Sequence, residues 1–298
     1  MTEIPLHWQT ISELSRRIHN GILSPVELME HLLNRVEALD GRLHSFRLLS
    51  RERAMAAARA SELALHAGQD TGPLHGIPYA VKDLIDVQGL PTTAGSNLLL
   101  DNIASTDATV VRRLTQAGMV LLGKANTVQF AFGAPGVNHH QGTPHNPWHV
   151  TPHVPGGSSN GSGVAVGAGL VPVALGTDTG GSVRIPAALC GTVGLKTTVG
   201  QVSRAGMFPL SWTFDSVGHL RARWRTPRWS TRRCGVLIRW MCLHAARRRM
   251  KTSSPAYAMA YASCAWPLRK RSSGTRWTAR WHKPCGPVAM CWPIWAPM

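Results

Sequence analysis

Residues 155–196 read PGGSSNGSGVAVGAGLVPVALGTDTGGSVRIPAALCGTVGLK. Two Gly/Ser-rich stretches, Pro155–Ser162 and Gly176–Pro186, flank the apolar run Val171–Leu175. That run is short, bounded by Pro and Gly, and reads as a buried strand. Two similar runs lie upstream, Ile77–Val81 and Met119–Leu122. Helical segments fall between them, so the expected fold is α/β with a partly parallel sheet. Eleven glycines between Gly156 and Gly194 suggest tight turns and close backbone approach to a ligand.

Working back toward the N-terminus, the chain reads as helical. Ser24-Pro25-Val26-Glu27 is a capping box with Pro at the first helical position, where hydroxyl and carboxylate satisfy backbone donors reciprocally. Val26, Met29, Leu33 and Val36 then recur at helical spacing, up to about Leu39. The Ala-rich stretch Glu52–His66 makes a second helix. Asp107 is placed to cap a third, with Val110, Val111, Leu114 and Ala117 on its apolar face.

The 298 residues carry a formal charge of +17, which invites a nucleic-acid reading. Its distribution argues otherwise. All 15 acidic residues lie in 1–220, beside 15 Lys and Arg, so that segment is neutral. The last 78 residues hold 17 Lys and Arg, no acid, eight of the eleven Trp and five of the six Cys. No apolar run is long enough for a membrane helix, and MTEIPLHWQTISEL does not read as a signal peptide. Cys190 is the only cysteine before the tail, so a disulfide scaffold is excluded and a cytoplasmic location is expected.

Three readings compete for the glycine-rich stretches. A linker is disfavoured because apolar strand and helix patterns flank both. Gly156 and Gly161 have the separation of a phosphate loop, but Asn160-Gly161-Ser162 lacks the lysine that reaches the phosphates. The third is a serine nucleophile, Ser182, preceded by glycines whose amides an oxyanion could approach. No histidine sits in either stretch to serve as base, but a desolvated lysine can, and Lys82 follows the apolar run at 77–81.

Three segments together, GIPYAVKDLIDVQGLPTTAGS (76–96), PGGSSNGSG (155–163) and ALGTDTGGSVRIPAALCGTVGLK (174–196), resemble the amidase signature family in order and spacing. The resemblance runs from about Ile11 to Leu220. It implies a mixed sheet covered by helices and a Ser–cisSer–Lys triad, with Ser182 as nucleophile, Ser158 as bridging serine on a cis peptide and Lys82 as base. It further implies oxyanion-hole amides at Thr179, Gly180, Gly181 and Ser182, and a structural pair, Asp178 and Arg184, bracing that loop. The implied reaction is hydrolysis of a carboxamide through an acyl-enzyme, with a small-molecule amide substrate and no metal or cofactor. An alternative within the family is the glutaminase component of a tRNA-dependent amidotransferase, which implies amidotransferase partner subunits. Asn160, Thr197 and His219 depart from the family pattern.

Other residues carry less. His139, His140, His145, His149 and His153 lie in a Gly/Pro/Asn loop without the helical His spacing or neighbouring carboxylates of zinc sites. Asn146-Pro147-Trp148 reads as structural, and Cys190 as a small buried hydrophobe.

From Arg221 the acids vanish and no periodicity is sustained. Written in GC-rich codons and read two bases later, residues 221–236 become an acidic, amphipathic helix ending in glycine. A shifted reading frame is therefore expected for 221–298, leaving 1–220 as the N-terminal part of an amidase signature domain. Family members are typically longer, which implies that this chain is truncated and without measurable amidase activity. A basic nucleic-acid-binding protein remains a distant alternative.

Overall fold

The computed structural model describes residues 4–222. The basic tail lies outside the described residues from position 223 onward. Helix α1 (Ile11–His19) starts in a capping box formed by Thr10 and Glu13. Helix α2 (Pro25–Leu43) starts in the expected box at Ser24 and Glu27 and runs one turn beyond Leu39. Its Leu28, Met29, Leu32, Leu33 and Val36 are buried. Strand β1 (Phe46–Leu49) and helix α3 (Arg51–His66) follow.

Strands β2 (Pro78–Lys82), β3 (Val120–Ala125) and β4 (Val173–Asp178) are the three apolar runs, each buried along its whole length. They pair in parallel, with β2 between the other two. Such strands are covered on both faces, which is why they read as continuous apolar runs rather than as alternation. Helix α4 (Thr109–Gln116) crosses from the β2 end to β3. Asp107 does not cap it: its Oδ1 instead accepts from the Gln88 amide at 2.7 Å.

Helices α5 (Asn160–Gly167) and α6 (Arg184–Leu189) flank β4 in sequence. Strand β5 (Val193–Leu195) and strand β6 (Ser216–Arg221) complete a sheet of order β1-β3-β2-β4-β6-β5. Strand β1 is antiparallel to β3, and β6 is antiparallel to both β4 and β5. The sheet is therefore mixed, and its parallel centre lets β2 and β4 end side by side.

Helix α5 is buried on every side, and its glycines explain how. A Cβ at Gly161 would lie 2.3 Å from the Ser45 carbonyl oxygen and 2.4 Å from the Asn126 nitrogen. Those are backbone atoms that cannot swing away, so only glycine lets the helix approach the β1–β3 edge. Among the described residues no helix is long and apolar enough to cross a membrane.

Candidate active site

In open α/β sheets, ligands gather at the carboxyl ends of parallel strands. Here that edge carries Lys82 at the end of β2 and Asp178 at the end of β4. Loop 155–159 crosses in front of it, leading into α5. Gly157 and Ser158 are joined by a cis peptide bond. The loop is held by backbone bonds from Gly156 to Pro135, Gly157 to Ala134, and Val128 to the Ser158 carbonyl.

These elements bring Lys82 and Ser158 together. Lys82 Nζ lies 2.8 Å from Ser158 Oγ and 2.9 Å from Thr177 Oγ1. Lys82 and Ser158 are both fully buried. Burial lowers the Lys82 amine to about 7, against the opposing pull of Asp178 and Asp215. Removing an ammonium from water disfavours its charge, so near neutral pH this amine has a substantial uncharged fraction.

Ser182 sits on the second glycine-rich loop and is half-buried. Its carbonyl accepts from the Ser159 amide at 3.1 Å, stitching that loop to the one bearing Ser158. Ser159 Oγ also bridges to the backbone of Thr177, and Ser162 Oγ donates to Leu175 O. These bonds pin α5 to β4.

Asp178 organises the turn before Ser182. Arg184 grips it with Nε to Oδ2 at 3.0 Å and Nη2 to Oδ1 at 2.9 Å. The amides of Gly181 and Val183 donate to it as well. Burial pushes this carboxyl upward, but the Arg184 and backbone hydrogen bonds outweigh it and hold it below the usual range. The Gly181 N–H, expected in the oxyanion hole, is instead taken up by Asp178 Oδ1 at 2.8 Å, because the carboxylate lies under the turn. The amides of Thr179, Gly180 and Ser182 have no acceptor among the described residues. Thr179 Oγ1 donates to Asp215, whose other oxygen accepts from the Leu210 and Ser211 amides.

The Amidase family model matches residues 27–226. The chain belongs to the amidase family.

The A component of the glutamyl-tRNA(Gln) amidotransferase from Thioalkalivibrio sulfidiphilus is 48% identical over 217 residues, covering 73% of this chain. The chain spans only 44% of that relative's length. Among solved structures, the peptide amidase of Stenotrophomonas maltophilia superposes with a TM-score of 0.73 at 34% identity, over 89% of this chain and 52% of that one. A protein described through a vestigial complex related to an s-triazine catabolic enzyme superposes with a TM-score of 0.70 at 42% identity, over 72% of this chain and 47% of its own.

Within this amidase domain, sequence reasoning missed Thr177 and Asp215. Both stand beside motif residues, but their roles depend on which strands become neighbours. Among the described residues no group of three or more His, Cys, Asp or Glu is arranged to hold an ion, the histidine loop included. His149 stacks on His153 at 3.9 Å, and His145 meets His44 edge-on. Asn146 and Trp148 tie their loop to the end of α6, through the carbonyls of Leu189 and Cys190. Cys190 is buried, and that burial raises its thiol to about 12, so it is an inert packing residue.

The departures from the family pattern have different fates. Asn160 Nδ2 donates to Gly136 O, and Thr197 Oγ1 donates to Val217 O. His219 is 1% exposed, and among the described residues neither ring nitrogen has a hydrogen-bond partner.

Proposed function

We propose that this chain carries the reaction centre of a serine amidase, with Ser182 as nucleophile, Ser158 as proton relay and Lys82 as base. The observation that supports it is the buried Lys82 amine 2.8 Å from Ser158 Oγ. A solvated lysine would be protonated and useless as a base. This one is lowered to about 7 by burial.

The chemistry follows from that placement. Ser182 Oγ attacks the carboxamide carbon and passes its proton to Ser158 Oγ, whose own proton goes to neutral Lys82. The carbonyl oxygen becomes an oxyanion, for which the Thr179, Gly180 and Ser182 amides are the available donors. Collapse breaks the C–N bond, and the departing ammonia or amine takes the proton back through Ser158 from the Lys82 ammonium. Water then releases the carboxylate from acyl-Ser182 by the same route. Thr177 Oγ1, accepting from Nζ at 2.9 Å, leaves the amine lone pair available to Ser158.

The substrate is a small-molecule amide. A second reading, the glutaminase component of a tRNA-dependent amidotransferase, is favoured by the 48%-identical relative. On that reading glutamine supplies the ammonia and partner subunits receive it. Both readings place the protein in the cytoplasm. A further part of the proposal is that residues 1–220 are the first portion of the amidase domain and that 221–298 arise from a shifted frame. Reading the DNA around codon 220 in all three frames tests that part.

The site itself is tested by a single chemical event that does not need turnover. The 298-residue chain is treated with an aryl sulfonyl fluoride and the modified residue is located by peptide mass spectrometry. Modification at Ser182, abolished in Ser182→Ala and strongly slowed in Lys82→Ala, is the expected result. Modification elsewhere, or none, overturns the assignment.

A further inference from the structure

Directly behind Lys82 lies a second buried lysine. Lys124, on β3, is opposite Val81 in the parallel register, and Lys82 is opposite Ala125. Successive side chains of a strand point to opposite faces, so Asp83 projects from the face opposite Lys82. There it meets Lys124: Nζ to Asp83 Oδ1 is 2.7 Å, with both side chains at most 1% exposed. Lys124 Nζ also donates to Pro91 O at 2.6 Å and Thr92 Oγ1 at 2.8 Å. The other carboxylate oxygen of Asp83 accepts from the Thr93 amide at 3.2 Å and from the Thr93 hydroxyl.

The backbone around Lys82 is clamped through the same residues. The Asp83 amide donates to Ala125 O at 2.9 Å, and its carbonyl accepts from Ala94 at 3.0 Å. The Lys82 carbonyl accepts from Ile85 at 3.0 Å. An ion pair this deep is a poor source of stability, because desolvation offsets most of its attraction. Its position beside the reaction centre points to a different role.

We propose that Asp83 and Lys124 are a positioning pair for the reaction centre: they fix the end of β2 so that the Lys82 amine meets Ser158, and their opposite charges cancel behind that amine. The inference rests on the proposed role of Lys82 as base.

Several charges face Lys82 from the surrounding elements. Asp178, at the end of β4, and Asp215, just before β6, favour its ammonium form. Arg184 is bound to Asp178. On the opposite face of the sheet Lys124 and Asp83 pair a cation with an anion, and Asp83 and Asp86 act on Lys124. Removing one member leaves the other uncompensated. An unpaired Lys124 ammonium disfavours a second positive charge, so Lys82 would lose its proton at lower pH. An unpaired Asp83 carboxylate does the opposite.

The test is the pH dependence of Ser182 modification by an aryl sulfonyl fluoride in the 298-residue chain. Asp83→Asn should move the midpoint down, and Lys124→Met should move it up, each on the order of one pH unit. The double variant Asp83→Asn/Lys124→Met should return it to the wild-type position. A merely structural role would slow modification in all three without moving the midpoint in opposite directions. Midpoints that stay in place overturn the proposal while leaving Ser182 and Lys82 as assigned. Absence of Ser182 modification in the wild type overturns the reading on which it rests. Should Lys124→Met fail to fold, the direction of the Asp83→Asn shift decides alone.

Discussion

Lys82 Nζ and Ser158 Oγ lie 2.8 Å apart although 76 residues separate them in the chain. One ends a central strand and the other stands at the entrance to a glycine-rich helix. Their contact joins the segment at 76–96 to the segment at 155–163 in one buried unit.

The first prediction concerns that unit. In a version of the enzyme that turns over, Lys82→Ala should reduce kcat/KM by about 10²–10⁴-fold, the usual contribution of a positioned general base. Ser158→Ala should fall in the same range. Combining the two should cost little more than either alone, because residues acting as a unit are non-additive. Steady-state hydrolysis of an aryl amide measures all three, and independent, multiplying effects would argue against a relay.

A second prediction follows from the Lys82 amine titrating at about 7. If Lys82 is the base, as proposed, it must be neutral to act, so Ser182 modification should rise with pH through about 7 and level off above it. An exposed lysine, titrating near 10.4, would leave the rate still climbing at pH 9. The rate profile of sulfonyl fluoride modification distinguishes the two.

His219 gives a prediction about stability. Burial, with Arg221 adding to it, lowers this imidazole to about 3 from the ordinary 6.5. Between those values the unfolded chain binds a proton that the folded one does not. Stability should therefore be full above pH 6.5 and fall as pH drops toward 3, by about 1.4 kcal/mol per pH unit. His219→Phe removes the titrating group, and the difference between the two melting curves across pH 4–7 isolates it. Parallel curves would show that the ring is accessible to protons when folded.

Close packing around α5 supplies the fourth prediction. Gly161→Ala places a methyl group 2.3 Å from Ser45 O. Overpacking of this kind costs about 1–3 kcal/mol. It should also slow Ser182 modification, since the shifted helix carries Ser158 away from Lys82. Thermal unfolding and the modification rate measured on one preparation check both. By contrast, Gly41→Ala, which meets nothing within 4 Å among the described residues, should leave both close to wild type.

The last prediction concerns the basic tail. If a shifted frame produced residues 221–298, a gene with the frame restored should yield a protein that hydrolyses an aryl amide over many turnovers. The 298-residue product should not. Comparable turnover by both would make the tail an authentic part of the enzyme.

Local interactions decided much of what could be read from residues alone. The capping box at Ser24 and Glu27 needs only adjacent side chains and backbone donors, and helix α2 begins where it says. The three apolar runs became the three parallel strands because a strand covered on both faces has no reason to alternate. The order of the motifs carried the family. What residues alone could not convey depends on who becomes whose neighbour. Asp107 has the right chemistry for a cap, yet it bonds Gln88 N because the loop at 86–88 folds over it. Gly181 has the right position for an oxyanion donor, yet Asp178 claims its N–H. Strand order sets Thr177 beside Lys82 and Asp83 against Lys124, residues 95 and 41 positions apart. Sequence patterns specify propensities along one dimension. The depth that lowers a lysine to about 7, and the charges that surround it, exist only once the sheet has closed around that side chain.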